Sequence, residues 1–286
     1  MYKWFNDLTT NDIIMHSLNR PQLRLGVGSN IKYYKYECCG FDIETTQIIT
    51  TDYAHAYMYI WSFTYNDLTI LGSYWEEFIE LLGMLQHIFD LDHKHRLLIF
   101  IANMGFEFQF MRKHLNITDY FFLEERQPLY VIHNGFFEFR DALLITGGNL
   151  DYLAKTYTTT QKMVGDLDYS LMRHSETEIT KEEMKYCEND CLVVYHYILF
   201  ELETYKELTK IPITYTGHVR KELRKIVSND WQYKGTVKKA INTDPHIYNL
   251  LVQSFMGGYT HANMYYSNRI ILDVDSYDFT SSYPYV

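Results

Sequence analysis

Two extended runs, 53–65 (YAHAYMYIWSFTY) and 68–72 (LTILG), are joined by the two residues Asn66-Asp67. Runs rich in aromatic and β-branched residues across so short a polar joint leave a β-hairpin as the economical solution. A third run, KYECCGFDIETT, precedes them and reads as a strand ending in carboxylates. The next segment changes period. In SYWEEFIELLGMLQHIFD the apolar residues Phe78, Leu81, Leu82 and Leu85 share one helical stripe. RLLIFIANM is a short buried strand, followed by a helix over FEFQFMRKHL. A second hairpin turns at Asn134-Gly135 in LYVIHNGFFEFRD, a pair suited to a type I′ turn. A long helix opens after Thr180, with Glu183 three residues on completing a capping box. Hairpins interleaved with helices give an α/β fold on a mixed sheet.

Composition narrows the function classes. With 47% hydrophobic and 17% aromatic residues, the 286-residue chain can bury a full core and is not a disordered segment. Its 27 tyrosines suit base stacking and core packing equally, so they select neither. A formal charge of −10 argues against a general polyanion binder. The stretch 218–240 departs from this average, with seven Lys/Arg against two acids, and reads either as a backbone-contacting face or as a solvated helix surface. Cys38, Cys39, Cys187 and Cys191 have neither zinc-knuckle nor disulfide-framework spacing and read as buried reduced thiols of a cytoplasmic protein. The N-terminus lacks an apolar signal core, and the longest uncharged run, 53–66, falls short of the about 20 residues a membrane span needs. No membrane partner is expected.

Three acidic positions carry candidate chemistry. Asp42 and Glu44 sit at i and i+2 of a strand, so both carboxylates face one way, and a hard divalent cation would relieve their repulsion. Standing alone, such a pair is also an ordinary surface feature. Glu107 opens a helix just after a buried strand, where a first-turn glutamate favoured by the helix dipole is the simpler reading. Tyr186 and Asp190 are four apart on one face of the capped helix. The apolar run Leu192-Val193-Val194 places Asp190 against a core, where it requires a metal or a salt-bridge partner.

In order, D-x-E (Asp42, Glu44), N-x-x-F-E (Asn103, Phe106, Glu107) and Y-x-x-x-D (Tyr186, Asp190) resemble the three exonuclease motifs of proofreading DNA polymerases with a DnaQ-like, ribonuclease-H-like fold. The resemblance implies four carboxylates around two Mg²⁺ or Mn²⁺ ions about 3.5–4 Å apart, with Tyr186 orienting the attacking water. Glu107 stands where the family usually has aspartate. The segment VGDLDYSLMRHSETEITKEEMKYCENDCLVV narrows the likeness to the protein-primed family B DNA polymerases of phages and linear plasmids. In that group a lysine near the G-D contacts the scissile phosphate, and Lys162 is the nearest lysine here. By the same resemblance Thr45, Asn103, Phe106 and Tyr169 hold a single-stranded 3′ end. Phe106 suits base stacking, and core burial is its alternative. Ala102 replaces a frequent family histidine.

Further on, SFMGGYTHAN is similar to the family's Tyr-x-Gly-Gly linker, with Phe255 for tyrosine and Gly257 and Gly258 admitting a close approach of DNA. Asp278-x-x-Ser281-x-Tyr283-Pro284 resembles the first palm motif. It implies that Asp278 binds metal, that Ser281, Ser282 and Tyr283 meet the incoming nucleotide, and that Tyr283 rejects a 2′-hydroxyl. The expectation is a lead-in over 1–35, a 3′→5′ exonuclease domain over 36–205, and a linker with an incomplete polymerase palm over 206–286. The chain is accordingly expected to be a fragment of a longer polymerase acting on primer-template DNA and, in the full-length enzyme, dNTP and a priming terminal protein. Two alternatives remain, a self-standing 3′→5′ exonuclease and a non-catalytic nucleic-acid-binding relic.

Overall fold

A computed structural model describes residues 2–17, 23–25, 31–49, 54–163, 171–229, 235–236, 244–254, 270 and 272. The strands are β1 (Tyr2–Trp4), β2 (Leu23–Leu25), β3 (Lys32–Tyr34), β4 (Cys39–Ile49), β5 (Ala54–Tyr65), β6 (Leu68–Gly72), β7 (His95–Ile101), β8 (Ile117–Glu124), β9 (Gln127–His133) and β10 (Phe137–Asp141). The helices are α1 (Thr10–His16), α2 (Trp75–Phe89), α3 (Met104–Met111), α4 (Ala142–Thr146), α5 (Leu150–Tyr157), α6 (Lys181–Tyr205), α7 (Tyr215–Ser228) and α8 (Pro245–Ser254).

The expected hairpins form. β5 and β6 pair antiparallel across Asn66, which adopts the left-handed conformation at φ 50°. β9 and β10 do the same across Asn134 and Gly135, both at positive φ as a type I′ turn requires. The sheet runs β1-β6-β5-β4-β7-β10-β9-β8, with β2 and β3 joined to it through β3 and β7. β4 is antiparallel to β5 but parallel to β7, and β7 is parallel to β10, which makes the sheet mixed. The N-terminal lead-in is more structured than its polar, turn-rich sequence suggests. β1 pairs parallel to β6, and Ile13 of α1 is wholly buried in the main core. A three-residue strand is too short for period two to announce it.

Side-chain alternation sorts the sheet into two faces. Phe41 and Ile43 of β4, with Leu97, Ile99 and Ile101 of β7, join Phe78, Leu81, Leu82 and Leu85 of α2 in one core. Leu98 and Phe100 of β7 point the other way and pack with Val193, Val194, Tyr197 and Ile198 of α6. Period two therefore turns Asp42 and Glu44 away from the α2 core, toward the face that α6 covers. The ladder between β4 and β7 pairs Cys39–Phe41 with Ile99–Ile101 and ends there, so the two carboxylates emerge just past it. Tertiary contacts divide the chain into two units, 1–225 and 226–286. Among the described residues, no helix is long and apolar enough to cross a membrane.

Candidate metal centre

The centre forms where the parallel strands end, the crevice in which open α/β sheets place their ligands. β4 supplies Asp42 and Glu44, and α6 crosses above with Asp190. One carboxylate oxygen from each of the three lies within 4.8 Å of the others. Immediately after Glu44 the ladder slips. Glu44 faces Ile60 and Thr45 faces Met58, leaving Tyr59 as the extra residue of a β-bulge. Bulges bend a strand and re-aim its side chains, and this one lies between a candidate metal ligand and Thr45.

Glu107 comes from the helix that follows β7. A glutamate serving only the helix dipole would be solvated, but Glu107 is 4% exposed and its Oε2 has no hydrogen-bond partner among the described residues. Asp190, 7% exposed, has an equally orphaned Oδ1. Buried carboxylate oxygens without donors are costly, and an oxygen-seeking cation removes that cost. The donor set, all carboxylate and partly orphaned, fits a hard divalent ion. The buried acidic triad can hold one.

The electrostatics agree. Burial raises Asp42 well above the ordinary carboxylate range, and the charges of Glu44, Glu107 and Asp190 push it further. Burial and Asp190 raise Glu44 to about 8. Burial lifts Asp190 to about 6. Glu107 is also well above its usual value, through burial and then the charges of Asp141 and Glu44. The positive charge of Lys162 opposes the rise at Asp42, Glu44 and Asp190. Several carboxylates resisting ionisation in one cluster mark a candidate functional site.

The remaining expected positions divide clearly. Tyr186 lies one turn before Asp190 on α6 and is buried. Asn103 holds a left-handed conformation, φ 63°, between β7 and α3, and is exposed. Phe106 is 41% exposed and packs on Phe110 at a ring separation of 5.2 Å, so core burial is not its role. Ala102 is buried. Tyr169, Phe255, Gly257, Gly258, Asp278, Ser281, Ser282 and Tyr283 lie outside the described residues.

Three residues around the centre were not singled out from sequence. Asp141 ends β10, is 6% exposed, and accepts hydrogen bonds from the backbone N–H of Met104 (3.0 Å) and Leu143 (2.7 Å). It thereby ties the start of α3, which carries Glu107, to the start of α4, and burial raises it to about 6. A strand running into Asp ahead of an apolar helical turn is an N-cap pattern and was the available signal. Arg173 is 5% exposed, and its guanidinium donates to Glu183, with Nε at 3.1 Å from Oε1. Its backbone N–H donates to Thr46 Oγ1 at 3.2 Å, joining the first turn of α6 to β4 beside Glu44. Asn189 is the third, and its side-chain amide bonds to the main chain on both sides of Lys162.

No family model matches the sequence, and no curated protein matches it significantly. Solved structures do match. Phi29 DNA polymerase complexed with primer-template DNA and incoming nucleotide substrates superposes with a TM-score of 0.60 at 15% identity, covering 82% of this chain and 41% of that one. The same polymerase complexed with single-stranded DNA gives 0.58 at 16% identity, over 80% and 41%. Its orthorhombic crystal form gives 0.51 at 15%, over 67% and 34%. The chain thus spans about two fifths of the polymerase it matches. Over that shared stretch it has the mixed α/β fold of Phi29 DNA polymerase, a protein-primed family B enzyme.

Proposed function

We propose that this chain belongs to a protein-primed family B DNA polymerase and carries its 3′→5′ exonuclease centre. The carrying observation is that Asp42, Glu44 and Asp190 bring their oxygens within 4.8 Å of one another, beside a buried Glu107 with an orphaned oxygen. The fold neighbours support DNA as the substrate, since their structures contain primer-template or single-stranded DNA.

Asp42, Glu44, Glu107 and Asp190 would hold Mg²⁺ or Mn²⁺. When bound, two such ions would supply an activated water and charge stabilisation for the leaving 3′ oxygen. Water adds to the terminal phosphorus, the bond to the 3′ oxygen breaks, and a nucleoside 5′-monophosphate departs. Tyr186, one turn from Asp190, orients the water. Lys162 places its positive charge where the phosphoryl oxygens gain negative charge. Exposed Phe106 offers a ring on which the terminal base stacks, with Asn103 capping the same helix and Thr45 on β4 next to Glu44 as further contacts to the strand. By family resemblance Tyr169, Phe255, Gly257 and Gly258 also contact DNA, while Asp278, Ser281, Ser282 and Tyr283 belong to the polymerase side, which takes dNTP.

A 5′-labelled single strand, incubated with Mg²⁺ or Mn²⁺ and separately with EDTA, tests the reading. A ladder shortening from the 3′ end in metal alone is expected. The Asp42→Ala, Glu44→Ala double variant should lose it by orders of magnitude. Equal cleavage by that variant would reject the site.

A further inference from the structure

We infer that Asn189 is a positioning residue that aims Lys162 into the carboxylate centre. The inference deepens the exonuclease reading and rests on it for the role of Lys162.

Lys162 lies between α5 and α6 on a segment with no regular secondary structure, and such a segment does not by itself fix a side chain's direction. Asn189 supplies the missing constraint. Its Oδ1 accepts the backbone N–H of Met163 at 3.0 Å, and its Nδ2 donates to the backbone carbonyl of Gln161 at 3.1 Å. The two bonds grip the main chain on either side of Lys162, as a neighbouring strand would. Only one orientation of the amide satisfies both, because the oxygen must face the N–H and the nitrogen the carbonyl. Two turns further along α6, His196 Nδ1 pairs with Thr160 Oγ1 at 2.6 Å and holds the same segment to the same helix. Thr158 donates to the Thr160 carbonyl at 2.8 Å, closing the approach.

Asn189 directly precedes Asp190. One turn of α6 therefore carries both a carboxylate of the centre and the clamp on the main chain that bears Lys162. A cation fixed before substrate arrives pays no reorganisation when charge develops, whereas a free lysine must be ordered during the step. A salt bridge to a carboxylate could not do this, because it would consume the charge. An amide holding the flanking main chain leaves the ammonium available.

The test compares Asn189→Ala, Lys162→Ala and the double variant on 5′-labelled single-stranded DNA with Mn²⁺. Alanine is a better helix former than asparagine, so α6 should persist; circular dichroism checks it. Asn189→Ala should lower kcat by about 10- to 100-fold, the range found for outer-shell partners of metal sites, while KM and Mn²⁺ affinity stay near wild type. Lys162→Ala should cost at least as much, and the double variant no more than Lys162→Ala alone, since the clamp acts through the lysine. Asn189→Gln keeps both functional groups on an arm one methylene longer and should recover part of the rate. Additive losses in the double variant, or a fall in Mn²⁺ affinity equal to the loss in kcat, would overturn the inference. A second readout needs no activity: in Asn189→Ala, amine acylation of Lys162 followed by mass spectrometry should speed up several-fold. If the wild type cleaves no DNA, the exonuclease reading fails, and an unchanged acylation rate then rejects the clamp separately.

Discussion

Replacing Glu44 by glutamine should stabilise the metal-free protein. Glu44 is 8% exposed, and burial with the Asp190 charge raises its pKa from the ordinary 4.5 to about 8. A carboxyl whose folded pKa exceeds its unfolded value costs nothing below pH 4.5. The cost grows as pH rises from 4.5, because the unfolded chain ionises while the folded one holds its proton, and it levels off above pH 8. At about 1.36 kcal/mol per pH unit, the gap from 4.5 to 7 is on the order of 3 kcal/mol, and the full gap to 8 on the order of 5 kcal/mol. Burying the glutamine amide returns part of this, about 1–2 kcal/mol. A net gain of about 1–2 kcal/mol at pH 7 corresponds to a rise of about 2–4 °C in Tm. Thermal melts of the wild type and Glu44→Gln in EDTA, at pH 4.5, 7 and 8.5, measure it. The difference should be absent or reversed at pH 4.5 and largest at 8.5. Mn²⁺ at about 100 times its Kd should return about 2.7 kcal/mol to the wild type alone. A variant less stable than wild type in EDTA at pH 7, or a difference independent of pH, would show that the cluster is not electrostatically strained.

Glu107 offers a sharper test of ligand identity. Glu107→Gln should abolish 3′ cleavage, whereas Glu107→Asp should retain part of it, and full cleavage by Glu107→Gln would return this residue to a dipole role. Arg173→Ala strands Glu183 in a buried setting and weakens the tie between α6 and β4, so urea unfolding should show a loss of about 3–5 kcal/mol. A loss below about 1 kcal/mol, the scale of an exposed pair, would refute that account. At Gly105 a methyl group would meet the Arg126 carbonyl oxygen at 2.3 Å, against backbone that cannot swing away. Gly105→Ala should therefore cost about 1–3 kcal/mol in urea unfolding and reduce cleavage by displacing Glu107, and wild-type stability would show that α3 has room.

The sequence carried the elements whose signals are local. Asn66-Asp67 and Asn134-Gly135 fixed two hairpins because positive φ is a property of the turn residues themselves. Thr180 and Glu183 fixed the start of α6 because a capping box closes within four residues. The order of Asp42, Glu44, Glu107 and Asp190 was legible as a motif, since strand period places the first two on one face and helix period fixes Tyr186 against Asp190. β1 and β8 were not legible. β1 is three residues held by β6, and β8 leaves Tyr120, Phe121 and Leu123 exposed, so no buried face imprints its period on the sequence.

What only tertiary structure decided was the burial and the neighbours of each candidate residue. Standing alone, Glu107 read more simply as a dipole-favoured first-turn glutamate; burial and an unpartnered oxygen set it apart, and burial depends on what packs over α3. Phe106 read as core or surface, and its exposure follows from how α3 sits on the sheet. Asp190 required a partner, and folding brought Asp42 and Glu44 from more than a hundred residues away to share its space. Asn189 carried no signal at all, because its bonding groups are the backbone of residues 161 and 163. The sequence specified which groups the chain possesses and the local geometry of each; the energetic meaning of a carboxylate lies in its solvation and its neighbours, and those are set by contacts between segments that no local period records.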